Sequence, residues 1–137
     1  MERHGGERIS RQFHTGLQIP AAQRRKGYAI FPKELENDPL VLFHGTQKKN
    51  LESIIKDGFK PRPPLTSVSY AKNSVYSLTH VMRQREPQED DVIIMVRFET
   101  LDTPAIRNNM QDIHVDNPEL QPKILGYCTI PHTYEHR

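Results

Sequence analysis

The run Val92-Ile93-Ile94-Met95-Val96-Arg97-Phe98 constrains the fold more than any other segment. It is rich in β-branched residues and does not alternate with polar ones, so it reads as the clearest strand and belongs in the centre of a sheet. A chain of 137 residues has the length of one domain with one modest core, burying roughly two-thirds of the surface its unfolded form exposes. Strands must flank the central one. Leu40-Val41-Leu42-Phe43 is an apolar run bounded by Pro39 and by His44-Gly45, and Ile124-Leu125-Gly126-Tyr127-Cys128-Thr129-Ile130 ends at Pro131. Ser67-Val68-Ser69-Tyr70 reads as a shorter strand.

Two helices fit between these runs. In the first, Asn50 is the expected N-cap, Leu51, Ile54, Ile55 and Phe59 form an apolar stripe, and Gly58 supplies the C-terminal stop. Pro61, Pro63 and Pro64 then enforce an extended loop. The second starts at Asn73 or Ser74 and places Val75, Leu78, Val81 and Met82 on one face. Residues 100–122 are turn-rich and ambiguous. The expected architecture is a single α+β domain over residues 39–137, with a small split or mixed β-sheet core and two short helices.

Residues 1–38 are expected to form a basic, largely irregular arm. They carry Arg24-Arg25-Lys26 and the short apolar patch Tyr28-Ala29-Ile30-Phe31. Two readings stand: a solvated extension with an anchor or two on the core, or a contact for a partner or substrate through the basic cluster. Over the whole chain 19 Lys+Arg face 17 Asp+Glu, a formal charge of +2. That is too balanced for a dedicated nucleic-acid binder by bulk electrostatics. The single cysteine, Cys128, excludes an internal disulfide framework and a Cys-based zinc site, and makes a reducing, cytoplasmic setting the default. There is no apolar stretch of signal-peptide type at the start and no run of membrane-spanning length.

The succession strand, His44-Gly45-Thr46, helix ending at Gly58, Pro-rich loop, Ser69-Tyr70-Ala71, helix, long strand resembles the His-Tyr class of ADP-ribosyltransferases, which includes the diphtheria-toxin and poly(ADP-ribose) polymerase groups. The resemblance runs from Val41 to about Phe98, under half of the chain. It implies NAD as co-substrate and a macromolecular acceptor, with protein favoured and nucleic acid open through the basic arm. By this resemblance His44 holds the adenosine ribose, the backbone of Gly45 holds the nicotinamide carboxamide, and Ser69 and Tyr70 contact the nicotinamide ring. His80, rather than Tyr76, forms the second wall of the pocket.

Cleavage of the nicotinamide–ribose bond develops positive charge at the ribose, which a carboxylate in the site would oppose. The family places a Glu at the start of a late strand. In Gln121-Pro122-Lys123-Ile124 the natural register puts Lys123 there, and the nearest acid is Glu119, taken as the provisional catalytic residue. Glu135 follows the strand and is badly placed.

Other constellations are weaker. His132 and His136 form an i, i+4 pair without a third metal ligand, no GxGxxG or Walker-type loop occurs, and Cys128 in a strand reads as a small buried hydrophobe. The expectation is an NAD-dependent mono-ADP-ribosyltransferase. The rivals are a catalytically silent module of the same type that binds a nucleotide or a protein, and an RNA-directed relative, which would want a basic groove.

Overall fold

A computed structural model describes residues 8–10, 13–14, 17–18 and 31–134. In chain order the elements are β1 (Arg8–Ser10), β2 (Phe13–His14), β3 (Leu17–Gln18), α1 (Lys33–Glu36), β4 (Val41–Gln47), α2 (Leu51–Asp57), β5 (Val68–Ala71), α3 (Ser74–Arg83), β6 (Asp91–Arg97), β7 (Ile106–Asn108), β8 (Asp112–Val115) and β9 (Lys123–Ile130). Among the described residues, seven strands form one sheet in the order β3-β9-β6-β4-β5-β8-β7. Six of them run antiparallel to their neighbours, and β3 lies parallel to β9. The fold is α+β.

The strand expected at the centre is there: β6 pairs along its length with β4 on one edge and β9 on the other. Because side chains alternate between the faces of a strand, Ile94 and Val96 join Leu42, Phe59, Tyr70 and Phe98 in one core layer. Ile93 and Met95 join Phe43, Leu78, Val81 and Phe31 in the other. Helix α3 covers this second layer. Its start follows the sequence expectation, with the Asn73 side chain accepting from the Tyr76 amide at 3.0 Å.

Three sequence expectations need correction. Asn50 stands at the N-cap position of α2, but its side chain makes no capping bond: a 3₁₀ turn over Lys48–Asn50 runs straight into the helix, and the Asn50 side chain instead donates to Thr46 Oγ1 at 3.0 Å. Ile55 is 41% exposed, because the short α2 turns only Leu51 and Ile54 inward. The N-terminal region is not irregular throughout. Leu17 and Gln18 pair with Cys128 and Thr129 of β9, Phe31 stacks on Phe43, and Glu36 accepts from the Phe31 amide and from the Ser74 hydroxyl. Residues 31–38 therefore pack as part of the domain, while Arg24, Arg25 and Lys26 lie outside the described residues.

Gly58 behaves as expected. It closes α2 with φ +88°, a region in which a side chain is strained. Where the sequence was ambiguous, β7 and β8 form an antiparallel pair that extends the sheet beyond β5.

Candidate active site

The sheet is split. Between β4 and β5 the ladder has a single rung, Phe43↔Ala71, whereas β4 and β6 are paired from Val41 to Gln47. In an antiparallel strand, peptide groups point alternately to the two edges, so beyond Phe43 the β5-facing groups of β4 open into the gap. A cleft of about 1400 Å³ occupies this region, bounded by the second half of β4, the loop after α2, β5 and α3.

His44 crosses the gap. Its Nδ1 lies 2.9 Å from the Ser69 carbonyl oxygen. A carbonyl can only accept, so Nδ1 carries the proton and a neutral ring keeps Nε2 as an acceptor. Burial holds the His44 imidazole below its usual pKa against the raising effect of the Ser69 carbonyl, with His80 and Arg62 adding to the lowering. The ring is therefore neutral at neutral pH. It packs against Phe59 and Tyr70, centroids 5.1 and 5.6 Å away.

Extending the register past the Phe43↔Ala71 rung sets Gly45 opposite Ser69 across the split. The absent side chain of Gly45 serves packing: a Cβ there would meet Val81 Cγ1 at 2.5 Å and the Ser77 carbonyl oxygen at 3.2 Å. Thr46 lines the cleft and is tied by its hydroxyl to Asn50. His80 stands exposed on α3 along the same cleft, as does the 40%-exposed Tyr76. The structure thus gathers His44, Gly45, Thr46, Ser69 and His80 at one place.

Two expected participants stand differently. Tyr70 is 1% exposed, its ring set edge-on against Phe59 and Phe98, and burial raises its hydroxyl pKa. Strand alternation turns it into the core while Ser69 faces out, so Tyr70 borders the cleft with its ring serving as packing rather than as an open shelf. Glu119 sits exposed in the turn before β9, its amide bonded to Asn117 Oδ1 at 2.9 Å, and does not line the cleft. Lys123 starts β9 opposite Arg97, which itself lies opposite Val41. That places it two strands and roughly 10 Å along the sheet from His44, at about 3.3 Å per residue.

The cleft's own acids include Asp57, Glu86 and Asp112, and its cations Lys60, Arg62 and Arg83. Two further residues were not visible to sequence reasoning. His114 Nδ1 is 3.0 Å from Ser69 Oγ, and its Nε2 is 3.5 Å from Asp112 Oδ1. Alternation in Asp112-Ile113-His114-Val115 was the available signal. Gln121 fixes the cleft's loop: its Oε1 accepts from the Phe59 amide at 2.8 Å and its Nε2 donates to the Phe59 carbonyl at 2.9 Å.

Among the described residues no three metal-capable side chains converge, and no helix is long and apolar enough to cross a membrane. His132 is held by Asp90, whose carboxyl the contact keeps below its usual pKa, and His136 lies outside the described residues. Cys128 is buried. No protein-family model matches the chain, and no curated protein matches it significantly.

Proposed function

We propose that the cleft binds NAD and that the chain is a mono-ADP-ribosyltransferase acting on a macromolecular acceptor, protein being favoured. The observation that carries this reading is the split after Phe43↔Ala71, with His44 bridging it and Gly45 facing Ser69 across it. In the resemblance these same residues hold the ribose and the carboxamide. A carboxamide offers both donors and an acceptor, and an unpaired strand edge offers the complementary N–H and C=O groups. The neutral His44 ring can take a ribose hydroxyl's proton on Nε2 as a hydrogen bond. Bound NAD supplies the scissile nicotinamide–ribose bond; the chain's residues orient it and screen it from water.

A second reading, the silent nucleotide-binding module, is favoured by one observation: Glu119 lies outside the cleft and Lys123 stands at the start of β9. Calorimetric titration with NAD, run beside an assay for nicotinamide release and label transfer, separates the two. Binding with release and transfer is expected of the transferase. Binding without release selects the module, and absence of binding removes the transferase.

A further inference from the structure

We propose that the Ser69 hydroxyl is a base-activated nucleophile that takes an acyl group from a small activated ester. The inference goes beyond the NAD reading and does not depend on it. Ser69 and His114 are directly opposed in the β5–β8 ladder, which places their side chains on one face, with Oγ 3.0 Å from Nδ1. Asp112 lies two residues back along β8, on that same face, with Oδ1 3.5 Å from His114 Nε2. A carboxylate beside Nε2 favours the tautomer with the proton on that nitrogen. The Nδ1 lone pair then receives the Ser69 O–H, leaving the oxygen electron-rich. The arrangement is nucleophile, base, and a third group orienting the base. The two imidazole nitrogens stand in the reverse of the order usual in serine hydrolases, and either can act as base.

The hydroxyl is accessible. Ser69 is exposed and lines the cleft together with Asp112, and the His114 side chain is 23% exposed. Across the split, Gly45 faces Ser69, and the β5-facing N–H groups of β4 can receive negative charge developing on a carbonyl oxygen.

In acylation, Ser69 Oγ bonds to the acyl carbon and its proton passes to His114 Nδ1. The ester C–O bond breaks, and the departing alkoxide or phenolate takes that proton. Water then attacks the acyl carbon and gives a proton to His114, the Oγ–acyl bond breaks, Ser69 recovers its proton and the carboxylic acid leaves.

The test treats the full chain with p-nitrophenyl acetate, following nitrophenolate release and mapping acetyl groups by peptide mass spectrometry. Acetylation at Ser69 is expected, absent in Ser69→Ala. In His114→Ala acylation should slow by about 10²–10⁴-fold, the range for a positioned general base, with partial rescue by added imidazole. His114→Gln, which can still hydrogen-bond Ser69 but cannot act as base, should be equally slow, and it keeps the test sound if the alanine variant fails to fold. Acetyl groups confined to lysines, or a His114→Gln rate equal to that of the unaltered protein, would overturn the proposal. So would Ser69 modified by NAD but not by the ester, since the electrophile would then be a ribosyl carbon. NAD titration of the same samples separates the two ideas: binding without acetylation sinks this one alone, and acetylation without binding sinks the other.

Discussion

The imidazole of His44 donates through Nδ1 to the Ser69 carbonyl oxygen at 2.9 Å, replacing with a side chain the rung that β4 and β5 do not form beyond Phe43↔Ala71. The histidine is therefore both a structural tie and a wall of the cleft. His44→Ala should lose NAD binding and should also cost about 1 kcal/mol, the usual net worth of one hydrogen bond. Urea titration beside NAD titration checks this; lost stability with unchanged binding would make His44 a tie only.

Burial of the same ring, which outweighs the raising effect of that bond, predicts a pH dependence. Burial depresses the His44 pKa below 6.5 in the folded chain, so as pH falls through 6.5 the unfolded chain takes up this proton first. This contribution to stability is level above about pH 7 and declines as pH falls below the unfolded value, until the folded pKa is passed. Urea midpoints from about pH 7.5 to about pH 5.5 should fall more steeply for the unaltered protein than for His44→Gln. Parallel profiles would show that His44 is not the group responsible.

Gly45→Ala distinguishes packing from ligand approach. Its Cβ would meet Val81 Cγ1 at 2.5 Å and the Ser77 carbonyl at 3.2 Å, so overpacking should cost about 1–3 kcal/mol without any ligand. Adding Val81→Ala should recover part of that loss beyond additivity in a double-mutant cycle. A Gly45→Ala protein of unaltered stability that fails to bind NAD would return the glycine to the ligand's side.

Tyr70→Ala should cost about 3–5 kcal/mol, as for other large core truncations, because the ring is enclosed by His44, Phe59 and Phe98. Tyr70→Phe keeps the ring and should change stability by less than about 1 kcal/mol. Thermal melts without ligand decide this, and a stable Tyr70→Ala variant with lost NAD binding would restore the stacking role.

What the sequence disclosed follows burial. Strand β6 was legible because it is covered on both faces, so its apolar run is continuous, and α3 because Asn73 caps it and Leu78 and Val81 mark its inner face. The inward turn of Tyr70 was not legible because alternation says only that Ser69 and Tyr70 point to opposite faces, and the choice of face depends on Phe59 and Phe98, both distant in sequence. The β7–β8 pair was hidden by its shortness and by surrounding turn residues, and with it the approach of His114 to Ser69. No local pattern announces a contact across 45 residues.

Glu119 is where sequence register and three-dimensional position diverge most. The turn that carries it is fixed at several points: the Glu119 amide donates to Asn117 Oδ1 at 2.9 Å, the Leu120 amide to the Asn117 carbonyl at 3.0 Å, and Gln121 Nε2 to the Pro118 carbonyl at 2.8 Å. Gln121 also grips both backbone groups of Phe59, so swinging Glu119 toward the cleft would break the support of the loop beside His44. Glu119→Gln should accordingly leave NAD affinity and any nicotinamide release within about twofold, far below the 10²–10³-fold effect of removing a group that stabilises transition-state charge. Gln121→Ala should do more damage. It leaves the Phe59 amide and carbonyl without their partner and should cost about 1–3 kcal/mol, weakening NAD binding as the loop loosens. The two variants are to be assayed together for stability, NAD affinity and nicotinamide release. A hundredfold fall in release for Glu119→Gln at unchanged affinity would place that carboxylate in the site after all, and would require the turn to rearrange when NAD binds.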